Sequence, residues 1–530
     1  MVRAVFALFA CIAVAAPASA ATPCESLAHL TLPGASIASA VSVPAGSSTP
    51  PGGRLVVANL PAFCKVTGVI NPAADSNIRF EVWMPSSGWN GKFEGAGNGG
   101  FAGAINYADM GSALSRGYAT ASTDAGHQAG MTDAAWAMGH AEKIADFGFR
   151  AIHETAEKAK AVIGAFYGQG PRHSYFASCS NGGRQALMEA QRYPADYDGI
   201  IAGAPANYWT HLLASAAFDI QATLADPGSY IPARKLPAIQ AAALSACDAL
   251  DGVKDGLIEN PVRCHFEPAA MLCRGPESDS CLTATQVETL TKIYTGPRNS
   301  KGEQVFPGYS PGGEAEPGGW AAWITGGEPQ QAAMFFFGTH FFQSMVYADP
   351  AWDFRTFQVD RDTKTADDKM ARILNATDAD LKRFKERGGK LILYHGWSDA
   401  AIPAQSTIDY YQAVVSKMGA RDSASFVRLF MVPGMQHCGG GSGPNTFGAG
   451  AAEGDAQHDM GRALEHWVED GVAPEQIVAT GYKSRSDPAS GVARTRPLCA
   501  YPQIARWKGS GSTDDAASFV CVKPDSPVSR

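Results

Sequence analysis

The stretch HSYFASCSNGGRQALMEAQRYP, residues 173–194, decides the fold. Residues 173–178 read as a buried strand and residues 184–193 as a helix. Between them Ser178-Cys179-Ser180-Asn181-Gly182-Gly183 makes a turn of small residues. A strand that folds sharply into a helix needs such residues, and it pushes its central side chain into the open. Ser180 holds that central position. The pattern is close to G-x-S-x-G, with Ser178 standing where the first glycine would be. A serine in a glycine-rich turn is commonly only a turn residue, so the segment needs chemical partners elsewhere.

Toward the N-terminus, strand-like runs occupy 65–70 (KVTGVI), 78–84 (IRFEVWM), 92–95 and 117–123 (GYATAST). A glycine-rich turn at 95–100 follows the third of them. A helical pattern covers about 141–167, with Ile144, Phe147, Ile152, Ala156, Ala159 and Ile163 near helical spacing. Toward the C-terminus, 199–204 (GIIAGA) is the next strand. This alternation predicts a doubly wound parallel sheet. The rhythm stops near residue 206 and resumes at 390–395 (KLILYH), followed by a helix at 403–417, a strand at 426–432 (FVRLFMV) and a helix at 457–470. The core, 21–205 with 387–530, is thus expected to be split by an irregular insertion, 206–386, large enough to be a lid domain. Residues 21–60 read as an irregular lead-in, and the tail from 508 as Ser/Asp-rich until Cys521.

The 530 residues carry a net charge of -8, with no long Lys/Arg run, which argues against a nucleic-acid binder. Arg3, the apolar run at 4–16 and Ala18-Ser19-Ala20 read as an export signal over residues 1–20. The apolar run is short for a membrane span, and no other such stretch occurs. The expectation is a secreted protein, periplasmic or extracellular. Cys11 leaves with the signal, and an even number of cysteines remains, which suits five disulfides in an oxidising compartment. Neighbours suggest Cys24 with Cys64, Cys247 with Cys264, Cys273 with Cys281 and Cys499 with Cys521. Sequence alone does not fix connectivity. No CxxC pair supports the rival, a zinc site.

A serine hydroxyl needs a base, and the base an orienting acid. In the α/β-hydrolase arrangement these follow the serine in the order acid, then histidine. Asp399, in YHGWSD (394–399), and His437, in PGMQHC (433–438), each stand just past a strand, where catalytic groups gather. His395 and His127 are rival bases. Cys179 precedes Ser180 and Cys438 follows His437. If these two cysteines bond, their Cα atoms sit about 5.5 Å apart, and hydroxyl and imidazole are forced together. Oxyanion donors are expected from the N–H of Asn181 and from Gly99 and Gly100 in the earlier glycine turn.

Within the insertion, Asp248, Asp251 and Asp255, with Gly252 and Gly256 between and beside them, have a spacing that can turn three carboxylates toward one hard cation such as Ca²⁺. The spacing is not that of an EF-hand, and a solvated acidic turn is the plainer reading. Trp320, Trp323, Phe335, Phe336, Phe337, Phe341 and Phe342 form an aromatic cluster. Such a cluster is commonly a core, but a lid over an active site presents some of its rings to substrate, and these favour a flat aromatic ring.

Cys179-Ser180-x-Gly-Gly, Gly183-Arg-Gln with Gln191-Arg-Tyr-Pro, Ala202-Gly-Ala-Pro205, His395-Gly-Trp-Ser-Asp399 and His437-Cys438 together resemble the tannase and fungal-type feruloyl esterase family, over about residues 24–525. The resemblance implies a Ser180–Asp399–His437 triad with its flanking cysteines bonded. It also implies the other four cysteine pairs and a lid with structural calcium on Asp248, Asp251 and Asp255 and the carbonyls of Val253 and Leu257. It includes mono(2-hydroxyethyl) terephthalate hydrolases, the best known of which hold the substrate carboxylate with a lid arginine. No arginine occurs here between Arg298 and Arg355. The expected activity is a serine carboxylesterase acting on esters of phenolic or aromatic acids through an acyl-enzyme. The alternatives are a terephthalate-monoester hydrolase, a serine peptidase and a non-catalytic binding protein on a hydrolase fold.

Overall fold

Strands buried on both faces carry mainly apolar residues, as GIIAG at Gly199–Gly203 beside the Ser180 strand does. The computed structural model describes residues 22–50, 56–448, 454–484 and 487–524. The expected export segment lies outside them. Nine strands form the main sheet: β1 (Ala35–Val43), β2 (Phe63–Ile70), β3 (Ile78–Pro85), β4 (Lys92–Ala96), β5 (Ala119–Thr123), β6 (His173–Cys179), β7 (Gly199–Gly203), β8 (Lys390–Gly396) and β9 (Val427–Val432). Their order is β1-β2-β3-β5-β4-β6-β7-β8-β9. The pairs β1–β2, β2–β3 and β3–β5 are antiparallel, and the run from β5 to β9 is parallel. Every residue of β5 and β7 is buried. Helices cover both faces, as in an α/β-hydrolase.

The strands expected on either side of Ser180 form within a residue or two of their expected bounds. β1 does not match expectation: it lies in the stretch read as an irregular lead-in. It is an edge strand of Ala, Ser and Val with a single Ile, largely exposed or half-buried, so its residues carry little hydrophobic alternation to read. At the other end, β10 (Gln476–Ser484) and β11 (Asp487–Cys499) make a hairpin, and β12 (Ile504–Trp507) pairs with β13 (Phe519–Val522). The tail read as Ser/Asp-rich is therefore pinned by a strand as well as by the Cys499–Cys521 bond.

The segment between β7 and β8 is not irregular. It contains α-helices Trp209–Leu224, Leu236–Cys247, Ala284–Thr295 and Ala333–His340. The first is buried nearly all round, so no polar face marks it as a helix in sequence. One part of the segment makes its own core around Leu236, Ile239, Leu282, Leu290 and Ile293. Another part, with Trp209, Phe337, Phe341 and Phe342, belongs to the main core.

The turn after β6 leads directly into α-helix Asn181–Arg192, which packs on β7 through Gly183, while Gly203 of β7 leaves room for Tyr394 of β8. A Cβ on Gly183 would meet the Gly203 carbonyl oxygen at 2.4 Å, and one on Gly203 would meet the Tyr394 ring at 2.2 Å. Backbone cannot yield there cheaply. Gly183→Ala is therefore expected to lower stability by about 1–3 kcal/mol. A urea midpoint equal to wild type would contradict this packing.

Candidate active site

Ser180 sits at the junction of β6 and the helix with φ 67° and ψ −126°, a backbone state that non-glycine residues rarely adopt. Two contacts hold it there: its N–H donates to Gly203 O at 2.9 Å, and its carbonyl accepts from the Ala206 N–H at 3.1 Å. Glycine at 182 is required, since a Cβ there would lie 2.0 Å from Ser178 Oγ. A Cβ on Gly97 would also meet that hydroxyl, at 2.8 Å. Ser178 is thus tolerated at the elbow because Gly97 and Gly182 leave room for its side chain.

The chemistry converges on this turn. Cys179 is bonded to Cys438, with Cα atoms 5.9 Å apart across 259 residues of sequence. The other four pairs, 24–64, 247–264, 273–281 and 499–521, are formed as expected. His437 Nε2 lies 2.9 Å from Ser180 Oγ, and His437 Nδ1 lies 2.8 Å from Asp399 Oδ2. The three side chains form one line of hydrogen bonds. With Nδ1–H donated to the carboxylate, Nε2 is left with a lone pair facing the hydroxyl.

Asp399 is fully enclosed. Its Oδ1 accepts the N–H groups of Ala401 (2.8 Å) and Ile402 (2.9 Å). Burial alone would raise its carboxyl. Electrostatic attraction to His437 and the hydrogen bonds from His395 and His437 outweigh that and hold it far below the usual carboxylate range. His395, one rival base, is completely buried behind Asp399. Its Nε2 faces Ile402 O (3.0 Å) and Asp399 Oδ2 (3.1 Å), and its Nδ1 faces Thr407 Oγ1 (2.7 Å). A carbonyl only accepts, so Nε2 carries the proton and the Thr407 hydroxyl donates to Nδ1. His395 thus orients the acid. His127, the other rival, stacks on Trp136 and bonds Phe101 O, and burial pushes its pKa down to about 4. Neither rival contacts Ser180.

Asn181 opens the helix, so its N–H has no acceptor within the helix and stands beside the hydroxyl. Gly99 and Gly100 line the same cavity. Gly100 has φ +54°, and a Cβ there would strike Met131 O at 2.5 Å. Sequence reasoning missed what anchors this loop. The Asn98 N–H donates to Gln185 Oε1 at 2.9 Å, and its side chain donates to Ala104 O and Thr123 O. Arg184, wholly buried, donates to Asn181 Oδ1 and to the carbonyls of Phe147 and Gly148. Polar residues in a helix give no sign in sequence that they point inward.

The cavity above Ser180 has a volume of about 480 Å³. Trp209, Leu213, Trp323, Met334 and Phe337 of the segment between β7 and β8 wall it. The Trp323 ring stands edge-on to His437 at 4.9 Å. The expected aromatic cluster divides here. Trp323 and Phe337 face the cavity, Trp320, Phe341 and Phe342 are core, and Phe335 and Phe336 pack on each other. Arg116 is the only Lys or Arg among the described lining residues, and one of its nitrogens holds both oxygens of Glu94, at 2.6 and 2.8 Å.

The acidic loop of the insertion is closed by Cys247–Cys264. Asp248 accepts the N–H groups of Asp255 and Gly256, Asp251 that of Val253, and Asp255 that of Leu257. Arg496, from β11, pairs with Asp255. No Lys or Arg among the described residues pairs with Asp248 or Asp251. Burial first, then repulsion by Asp255 and Asp248, pushes Asp251 up to about 6. An all-oxygen set with mutually repelling charges suits a hard dication.

Comparison with known families matches residues 64–522 to "Tannase and feruloyl esterase". An uncharacterised esterase of Xanthomonas campestris pv. campestris is 46% identical, with 96% of this chain and 92% of that one covered. The mono(2-hydroxyethyl) terephthalate hydrolase of Piscinibacter sakaiensis is 34% identical over 88% of this chain and 86% of its own. The crystal structure of feruloyl esterase B from Aspergillus oryzae superposes with a TM-score of 0.86 at 31% identity, covering 94% of this chain and 99% of that one.

The hydrogen bonds to Asp399 set a test. Asp399→Asn keeps the shape but removes the charge that orients His437, so kcat is expected to fall about 10⁴-fold with KM little changed. Since the folded carboxyl titrates below its unfolded value near 3.9, its contribution to stability is present above about pH 4 and fades as pH falls further. The stability difference between wild type and Asp399→Asn should therefore shrink between about pH 5 and about pH 2. A pH-independent difference in denaturation midpoint would contradict the assignment.

Proposed function

From the premise that this chain belongs to the tannase and feruloyl esterase family, we propose that it hydrolyses esters of phenolic or aromatic carboxylic acids through an acyl-enzyme. The observation that carries this reading is the Ser180–His437–Asp399 line of hydrogen bonds at the floor of an aromatic-walled cavity. Ser180 Oγ attacks the ester carbonyl as His437 Nε2 takes its proton. The oxyanion is met by the Asn181 N–H and by the Gly99–Gly100 backbone. His437 then gives the proton to the leaving alcohol, and Asp399 stabilises the imidazolium between the two transfers. Water, activated by the same imidazole, releases the acid. Trp323 and Phe337 sandwich or edge the flat acyl ring.

A terephthalate monoester carries a second carboxylate that needs a cation. Arg116, the only arginine among the described lining residues, is already paired with Glu94, which favours the phenolic acids over that reading. Export of the protein is supported by the apolar run and small residues of positions 1–20 and by the five disulfides.

We also propose that Asp248, Asp251 and Asp255, with the carbonyls of Val253 and Leu257, hold a structural Ca²⁺. The ion would tie the loop beneath β11 and offset the repulsion among the acids. It would take no part in the chemistry at Ser180.

Methyl ferulate, methyl gallate and chlorogenic acid are the first substrates to assay, beside mono(2-hydroxyethyl) terephthalate. The expected result is turnover of at least one of the first three with a higher kcat/KM than the terephthalate. Ser180→Ala should cost about 10⁴–10⁶-fold in kcat. Turnover unaffected by Ser180→Ala, or a preference for the terephthalate monoester, would overturn the respective part of the proposal. For the ion, chelation should lower Tm, and added Ca²⁺ but not Mg²⁺ should restore it. A Tm indifferent to chelator would refute the calcium assignment.

A further inference from the structure

On the same helix as Ser180, but nine residues further on and so about 13 Å away along its axis, lies a second group of titratable side chains that the esterase chemistry does not use. We propose that His153, Glu189 and Asp196 form a binding site for a first-row divalent transition ion such as Zn²⁺ or Co²⁺. One ligand atom from each residue lies within 4.8 Å of the others. The three come from different elements: α-helix Ala151–Tyr167, α-helix Asn181–Arg192 and the loop that leads into β7. An ion there would staple these elements together below the sheet.

The group is not a solvated acidic patch. Glu189 is 1% exposed and Asp196 8% exposed. Both carboxylate oxygens of Glu189 are buried with no N–H donor among the described residues, and the Asp196 carboxyl faces them. A buried carboxylate without donors is costly, and native structures rarely leave one in that state. Asp196 meets His153 Nδ1 at 2.6 Å. The imidazole is held in plane by Tyr193, stacked at 3.8 Å and 6°. Its other nitrogen looks toward the exposed Glu157 at 4.0 Å, leaving a path for an ion and for a water ligand.

The surrounding charges leave the site short of positive charge. Lys160 donates to the main-chain carbonyl of Asp196, while Lys158 is paired with Glu154 and Glu157. Two carboxylates and one neutral imidazole carry two negative charges, which a dication balances. Without an ion the same pocket must keep protons, and burial does push Glu189 far above the usual carboxylate range. Binding would release those protons. The imidazole separates this site from the oxygen-only loop at Asp248–Leu257, since nitrogen with carboxylates suits zinc or cobalt and oxygen alone suits calcium.

The test uses the whole protein, stripped of metal and then saturated with Ca²⁺ so that the acidic loop is filled. Co²⁺ is added and its visible absorption recorded. The expected result is one equivalent bound with the intense band of low-coordinate nitrogen–oxygen ligation, and a rise in Tm of about 2–4 °C. His153→Ala and Glu189→Gln should each abolish the band and the Tm rise. Their metal-free esterase activity should equal that of the wild type. Absence of a stoichiometric band in wild type, or a band that persists in His153→Ala, would overturn the proposal. In the first case the group is a proton-sharing Glu–Asp–His cluster, which a raised His153 pKa in NMR titration would establish.

Discussion

One covalent bond holds the catalytic geometry: the link between Cys179 and Cys438. It joins the residue before Ser180 to the residue after His437, across 259 positions of sequence. Both ends are conformationally special. Ser180 has φ 67° and Cys438 has φ 62°, so each turn is in the left-handed region that side chains avoid. A hydrogen bond of one or two kcal/mol could not by itself hold two such turns face to face. The bond removes the freedom with which the two loops would otherwise separate, and the helix at Asn181 and strands β6 to β9 supply the rigid frame on which they sit.

Around that link the polar groups are arranged in depth. Asp399 is kept ionised although buried because two backbone N–H groups and two histidines face it. His395 is in turn fixed by Thr407 and by the Ile402 carbonyl. On the other side, Asn98, Gln185 and Arg184 fasten the glycine loop and the start of the helix to each other. The substrate cavity lies between this polar floor and a roof of Trp323, Met334 and Phe337. The floor can stabilise charge that develops at a carbonyl, and the roof accepts a flat apolar ring.

Much of this was readable before any coordinates. The strand–turn–helix at 173–194 and the strands at 390–395 and 426–432 carry strong apolar runs, and the loops after them hold Asp399 and His437. The cysteines beside Ser180 and His437 distinguished His437 from His395 and His127. What was not readable has physical causes. β1 is a largely exposed or half-buried edge of mostly small residues, and the Trp209–Leu224 helix is buried nearly all round, so neither shows its period. His395 is a buried second partner of Asp399, and Asn98, Gln185 and Arg184 are polar residues turned inward. Each depends on tertiary neighbours that spacing along the chain does not specify.

The central claim is that the Cys179–Cys438 bond keeps hydroxyl and imidazole within proton-transfer distance. The most direct measurement is the rate of the acylation burst with a chromogenic ester in the Cys179→Ala/Cys438→Ala double variant, with circular dichroism to establish that the fold persists. A misplacement of about 1 Å between nucleophile and base is expected to slow the burst about 10²-fold. A folded double variant that acylates at the wild-type rate would contradict the account.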